Sequence, residues 1–192
     1  KILIAATSGG IYRTTNGGIN WVQTLTGNFK DLKINPYNPK QLYAAKIQSV
    51  AELYRSTDNG ISWARITNGV PNAGSRIVID VAESNPSIVY IIQTSASANV
   101  FSGLLKSTDS GVSFSTMSTS PNIFDYACNG SGGSSQATYD LCLAVDPNDE
   151  NTIYAGSINN WKSTDGGVNW NIVSHWVGTN FSGSSCASSV HA

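Results

Sequence analysis

Charge is what this sequence has least of. Only 12% of its 192 residues are Asp, Glu, Lys or Arg, and the formal net charge is -1. So sparse and balanced a set favours neither nucleic acid nor an anionic membrane surface as a partner. Long apolar runs are missing too, since none approaches the roughly 20 residues of a membrane-crossing helix. No segment keeps a 3.6-residue apolar period with caps, so helix should be nearly absent. Cysteine is limited to Cys128, Cys142 and Cys186, with no CxxC pair. That spacing gives no support to a zinc site. The chain opens on Lys1 without Met or a signal sequence, which suggests a mature or excised product.

What the sequence does have is strand and turn chemistry. Apolar residues make up 40% and are spread along the whole chain, with eight Tyr and five Trp among abundant Ser, Thr, Asn and Gly. Aromatic and β-branched side chains suit a pleated surface, while Gly and Asn suit tight turns. A chain of this length can bury a real core, and its apolar content argues against disorder.

One phrase recurs four times: TTNGGINW from Thr14, STDNGISW from Ser56, STDSGVSF from Ser107 and STDGGVNW from Ser163. The copies stand roughly 40–55 residues apart, the period of a repeat architecture. A second phrase travels with them. DLKINPYNPKQLY (from Asp31) aligns without a gap on VIDVAESNPSIVY (from Val78) and CLAVDPNDENTIY (from Cys142). Each shows two alternating apolar residues, a turn bearing Pro and Asn, and a Tyr in a new strand, which reads as strand, turn, strand. A third strand then ends at a basic residue: Arg13, Arg55, Lys106 or Lys162. The eight-residue phrase and a fourth short strand follow. Four antiparallel strands per unit, repeated radially, are the blades of a β-propeller.

Every position in the phrase has a structural task. The side-chain oxygen of Asp58, Asp109 or Asp165, or of Asn16 in the first copy, can accept backbone N–H groups in its own turn. Gly18, Gly60, Gly111 and Gly167 stand two places later, where a tight turn needs positive φ. Ile or Val and then an aromatic (Trp21, Trp63, Phe114 or Trp170) restart the strand and should fill the space between units. The phrase therefore reads as a fold staple and not as a fourfold reaction centre.

These residues resemble the Asp-box, or BNR repeat, found in propellers of sialidases, xyloglucanase-type glycoside hydrolases, sortilin-like receptors and photosystem assembly factors. The stretch from YDLCLAVDP to the final VHA is most similar to large secreted bacterial surface proteins with a C-terminal sorting signal. The resemblance implies an all-β propeller of about four blades that is part of a larger ring, in a secreted or cell-surface protein. The expected division is a single propeller segment, 1–192: a partial blade at 1–30, blades at about 31–77, 78–139 and 140–187, and the start of another at 188–192. A closed four-bladed ring, with 190–192 pairing with the N-terminal strands, is the alternative.

The residues for chemistry are few. A sialidase needs a cluster of arginines. Arg13 and Arg55 occupy a repeat position, which leaves only Arg65 and Arg76. An inverting hydrolase needs two opposed carboxylates roughly 6.5–9.5 Å apart, and Asp80 and Asp140 are the best pair on offer because they do not recur. A local polar contact for Asp80 and a strand cap for Asp140 are the favoured reading of both. Asp146, Asn148, Asp149 and Asn151 have an oxygen-rich spacing that suits calcium, but they lie on the repeated turn, so no metal and no cofactor are expected. Trp161 takes the position of Tyr12, Tyr54 and Leu105 and should be core.

His175 and Trp176 have no counterpart in the other units, and His191 lies in the final VHA. Non-repeated aromatics on a repeat scaffold are candidates for added binding sites, here for a sugar ring. The longest departure from the repeat, TSPNIFDYACNGSGGSSQATYD, suggests mobility or a function-specific excursion. Cys142 aligns with strand positions and should be a packed thiol. Cys128 and Cys186 precede the opening strands of successive units on one rim, so they are the expected disulfide, with Cys128–Cys142 as the alternative. The function that follows is a non-catalytic structural or binding propeller, in adhesion or polysaccharide recognition. Its partners would be the remaining blades of a longer chain or another protein chain. The competing reading is a xyloglucanase-like hydrolase with its active site partly in other blades.

Overall fold

Alternation along the chain decides the strands, and short polar turns separate them. A computed structural model describes residues 1–72 and 74–176. Every regular element among them is a strand. The first sheet holds β1 (Leu3–Ala6), β2 (Gly10–Thr14) and β3 (Val22–Thr26). The second holds β4 (Phe29–Ile34), β5 (Leu42–Lys46), β6 (Glu52–Ser56) and β7 (Ala64–Ile66). The third runs from β8 (Ile77–Val81) through β9 (Val89–Thr94) and β10 (Phe101–Ser107) to β11 (Ser115–Ser118). The fourth comprises β12 (Cys142–Asp146), β13 (Asp149–Gly156), β14 (Asn160–Ser163) and β15 (Asn171–Ser174).

Within each sheet the strands lie side by side in chain order, and every pairing is antiparallel. The first sheet has three strands and lacks the member that β4, β8 and β12 supply to the others. Those opening strands form the seam between sheets: β4 packs on β1 and β8, and β8 packs on β12. The described sheets thus follow one another in series, with no comparable packing of β12 on β1.

The core is a succession of layers between neighbouring sheets. Ile11, Phe29 and Ala44 fill the first layer. Tyr43, Leu53, Ile79, Ile91 and Phe114 fill the second. The third is the largest and includes Tyr90, Leu104, Ile153, Trp161 and Trp170. Each fully buried side chain of this size contributes about 1.5–3 kcal/mol relative to its exposed state.

Two expectations need correction. Cys142 is exposed, because β12 alternates and turns Leu143 into the core layer while Cys142 faces away from it. Ile19, Ile61, Val112 and Val168, expected between units, all stand in solvent. In the later copies the aromatic two places on is directed inward instead, Trp63 partly and Phe114 and Trp170 fully enough to be buried. The Gly/Ser-bearing insertion is packed against the third sheet. Ile123 and Phe124 are buried, and Phe124 meets Phe101 edge-on at 5.3 Å. Asp125 gathers the N–H groups of Tyr126 and Gly132.

Candidate functional site

The four repeated turns are built alike. Ser56 Oγ donates to Asp58 Oδ1 at 2.8 Å and accepts the Gly60 N–H at 2.9 Å. Asp58 Oδ1 accepts the Ile61 and Ser62 N–H groups at 3.1 and 2.9 Å, and Asp58 Oδ2 takes the Ser62 hydroxyl at 2.6 Å. The copies at Ser107–Asp109 and Ser163–Asp165 repeat this pattern. In the first copy Thr14 and Asn16 replace Ser and Asp. The Ser62 hydroxyl first, with the other donors, holds the Asp58 carboxyl down at about 2. Asp165 falls to about 2 chiefly through the Asn169 N–H, and Asp109 is lowered chiefly by the Ser113 hydroxyl.

Two features of these turns were not read from the sequence. The buried member is the hydroxyl, with Thr14, Ser56, Ser107 and Ser163 at 2% exposure or less, whereas the carboxylates lie outside it. Positive φ also extends to the residue before the glycine, Gly17, Asn59, Ser110 and Gly166. The repeat of Ser/Thr in four copies was the available signal for the first.

The turns also join the sheets. Arg13 Nε donates to Asn59 O at 2.8 Å, across from the first sheet to the second. Tyr43 OH and Gln41 Nε2 both donate to Ser110 O, at 2.8 and 3.1 Å. Tyr90 OH reaches Glu150 O at 2.9 Å, while Lys106 lies over the Tyr90 ring and bonds to Asn151. Burial pushes the Tyr43 phenol up to about 12.

On the seam of opening strands, carboxylates serve the next strand. Asp31 accepts Ile79 N–H at 2.7 Å and its own Leu32 N–H at 3.0 Å. Asp80 accepts Val145 N–H at 2.8 Å and pairs with Lys33 at 3.1 Å. Asp140 takes the Ser157 hydroxyl at 2.9 Å. Arg76 donates to Ala137 O and Leu141 O, at 2.7 and 3.1 Å. Lys30, Asp31, Lys33, Arg76 and Cys142 line a cleft of about 260 Å³ here. Burial raises the Asp31 carboxyl and lowers the Arg76 guanidinium.

A different arrangement forms where the insertion meets the end of the fourth sheet. Tyr126 and Trp176 meet edge-to-face with ring centroids 5.7 Å apart, and both are open to solvent. Asn159, fully buried, donates to Asp125 O at 2.7 Å and accepts the Trp176 N–H at 3.1 Å. His175 Nε2 lies 3.1 Å from Tyr126 O, and Gln136 Nε2 donates to Tyr126 OH at 3.1 Å. Trp176 and His175 therefore come together with Tyr126, a residue that the sequence did not single out. His191 and Cys186 lie outside the described residues. Cys128 is disulfide-bonded, and Cys142 is a free thiol.

A family model for the BNR/Asp-box repeat matches residues 54–65. The GH74 xyloglucanase from Xanthomonas campestris superposes over 90% of this chain with a TM-score of 0.65 and 20% identity. An ancestral GH74 enzyme does so over 90%, with a TM-score of 0.65 and 17% identity. YCF48 from Cyanidioschyzon merolae matches 76% of the chain and 37% of its own, with a TM-score of 0.51 and 16% identity. The sheets have the fold of β-propeller blades, and the repeat model matches one turn, in the second sheet. No curated protein matches the sequence. The blades span only 28% and 24% of the two GH74 chains, so the likeness is one of fold.

On this Asp-box scaffold the two weak candidates for catalysis are occupied structurally. Both oxygens of Asp80 are engaged, by Lys33 and by a backbone N–H of the next blade. Asp140 bonds to Ser157 at the start of the last described blade. The oxygen-rich turn uses its side chains on itself. Asp146 accepts Asn148 N–H, and Asp149 accepts Asn151 N–H and the Thr152 hydroxyl. Among the described residues, no group of three or more His, Cys, Asp or Glu side chains could hold a metal ion, and no helix is long and apolar enough to cross a membrane.

Proposed function

We infer that this propeller segment is a non-catalytic binding scaffold, part of a larger ring in a secreted or cell-surface protein, and that it recognises polysaccharide. The observation that carries the reading is the exposed Tyr126–Trp176 pair, fixed from below by a fully buried Asn159. Two solvent-facing rings held by backbone and amide contacts give a sugar an apolar face to cover. His175 and Gln136 supply polar groups beside it. A rigid aromatic loses little conformational freedom on binding, which is why such residues dominate recognition surfaces. The carboxylates of the seam, by contrast, hold neighbouring strands together and leave little free for acid–base chemistry.

Affinity electrophoresis of the chain in gels containing xyloglucan, other neutral polysaccharides or a uronate polymer tests this. Retardation in at least one gel, lost in Trp176→Ala, is the expected result. Identical mobility in all gels would sink the reading.

A hydrolase with its site partly in other blades is the second reading, and the fold shared with GH74 enzymes favours it. Release of reducing ends from xyloglucan by a longer form of the protein, abolished by Asp80→Asn or Asp140→Asn, would select it.

A further inference from the structure

Three copies of the repeated turn carry a carboxylate, and one does not. The basic residue before each turn stands three places ahead of the turn's acceptor: Arg55 before Asp58, Lys106 before Asp109, Lys162 before Asp165. Arg13 instead precedes an amide, Asn16. That amide forgoes a bond the fold offers. Asp165 Oδ2 accepts the Asn169 side-chain amide at 2.7 Å. Asp58 and Asp109 take the hydroxyls of Ser62 and Ser113, at the same position of the phrase, at 2.6 Å. Asn20 holds that position in the first copy. Asn16 Oδ1 accepts the Thr14 hydroxyl and the Asn20 N–H, at 2.8 and 3.0 Å. Among the described residues, neither Asn16 Nδ2 nor the Asn20 side chain has a partner. A turn that closes fully with Asp gains nothing for the fold from Asn, and such breaks in a local rule mark function.

These groups share one cleft. Arg13, Thr15, Asn16, Asn20, Val22 and Ile61 line about 460 Å³ between the first and second sheets. That lies within the roughly 300–1,000 Å³ of small-ligand sites. No Asp or Glu is in its wall. Arg13 uses Nε on Asn59 O at 2.8 Å, and its two terminal nitrogens have no hydrogen bond or ion pair among the described residues. Val22 and Ile61 add an apolar side, 67% and 58% exposed. In the other copies the Val22 position holds Ala64, Ser115 or Asn171. The openness of Thr15 and Asn16 belongs to the repeat itself. Thr57, Thr108 and Thr164, with Asp109 and Asp165, are also exposed or nearly so in sheets that pack on a preceding one.

We propose that this cleft binds an acidic sugar, with the carboxylate of a uronic acid residue on Arg13. A guanidinium with both terminal nitrogens free matches a carboxylate through two parallel N–H···O bonds. No acidic side chain in the wall competes for that fork. Thr15, Asn16 and Asn20 offer donors and acceptors to ring hydroxyls, and Val22 and Ile61 cover the C–H face. The cleft shares no residue with the Tyr126–Trp176 pair and does not depend on it.

Titration of the isotope-labelled chain with a galacturonic acid trisaccharide, followed by NMR, tests this. Amide signals of Thr14–Asn20 and Val22–Thr24 should shift saturably, and added salt should weaken binding. The methyl-esterified trisaccharide, neutral but otherwise alike, should bind roughly fivefold more weakly or worse. Asn16→Asp separates binding from folding. It restores the residue of the other copies, so thermal stability should hold or rise, while a carboxylate beside Arg13 should abolish the shifts. Arg13→Gln should abolish them as well. Trp176→Ala should bind as the unchanged chain does, which keeps this result apart from that of the aromatic pair. No saturable shift in the cleft, an equal response to the esterified sugar or to acetate, or full binding by Asn16→Asp would overturn the proposal.

Discussion

Asn159 holds Trp176 in place. Its side-chain oxygen accepts the Trp176 N–H at 3.1 Å, while its amide donates to Asp125 O at 2.7 Å and so ties the insertion to the same point. The residue itself is fully buried.

Asn159→Ala should therefore cost about 1–3 kcal/mol, the penalty for buried groups left without partners. Urea unfolding read by circular dichroism gives the first number. Polysaccharide retardation should fall as well, although Asn159 has no exposed surface with which to touch a ligand. Unchanged retardation would separate Trp176 from this anchor.

The hydroxyl in the Asp-box should matter more than the carboxylate. Ser107 is buried and satisfies the Gly111 N–H at 2.8 Å, so Ser107→Ala should cost about 1–3 kcal/mol. The donors that Asp109 serves, Val112 and Ser113 N–H, lie where water can reach them. Asp109→Ala should cost only about 1 kcal/mol. Thermal unfolding of the two variants ranks them, and a larger effect for Asp109 would contradict the burial argument.

Ser110 occupies a left-handed conformation, with φ of 61°, where the first and fourth copies have glycine. An L-residue with a side chain is disfavoured there, while its carbonyl remains the acceptor for Tyr43. Ser110→Gly should raise stability by a few tenths to about 1 kcal/mol. Ser110→Val should lower it. Denaturant midpoints for both variants check the sign.

The Asp-box carboxyls set an acid limb. Their folded pKa values lie below the ordinary 3.8, about 2 for Asp58 and Asp165. The unfolded chain therefore binds more protons between those values. Stability from these groups is present above pH 3.8 and is lost as pH falls toward about 2. Asp31 has the opposite sign: burial raises its folded pKa, so its contribution declines as pH rises through that value. Stability measured against pH should fall on the acid side, and Asp58→Asn should flatten that fall. An acid limb unchanged by Asp58→Asn and Asp165→Asn together would refute the assignment.

Cys128 is disulfide-bonded and Cys142 is an exposed free thiol, so the expected pairing is Cys128–Cys186. Alkylation without reduction followed by peptide mapping should label Cys142 alone. Reduction should remove about 4 kcal/mol in the chain-entropy model. A labelled Cys186 would exclude this bridge.

The sequence by itself determined what short-range bonding determines. The strand order within each blade and the Asp-box turns rest on alternation and on hydrogen bonds spanning four residues or fewer. Eight residues carry all the information such a turn needs, and four copies made it legible. Only the tertiary structure decided what lies between blades. Asp80 reads in the chain as a candidate acid or as the maker of a local polar contact, yet its partners are Lys33 and Val145, which stand 47 and 65 positions away. Cys142 occupies a strand position that suits a packed thiol, but which face of a strand is covered depends on the neighbouring sheet. Tyr126 and Trp176 meet across 50 positions because a packed insertion and a buried Asn159 bring them there. Contacts at such separations arise from how sheets pack, and no local pattern in the chain encodes them.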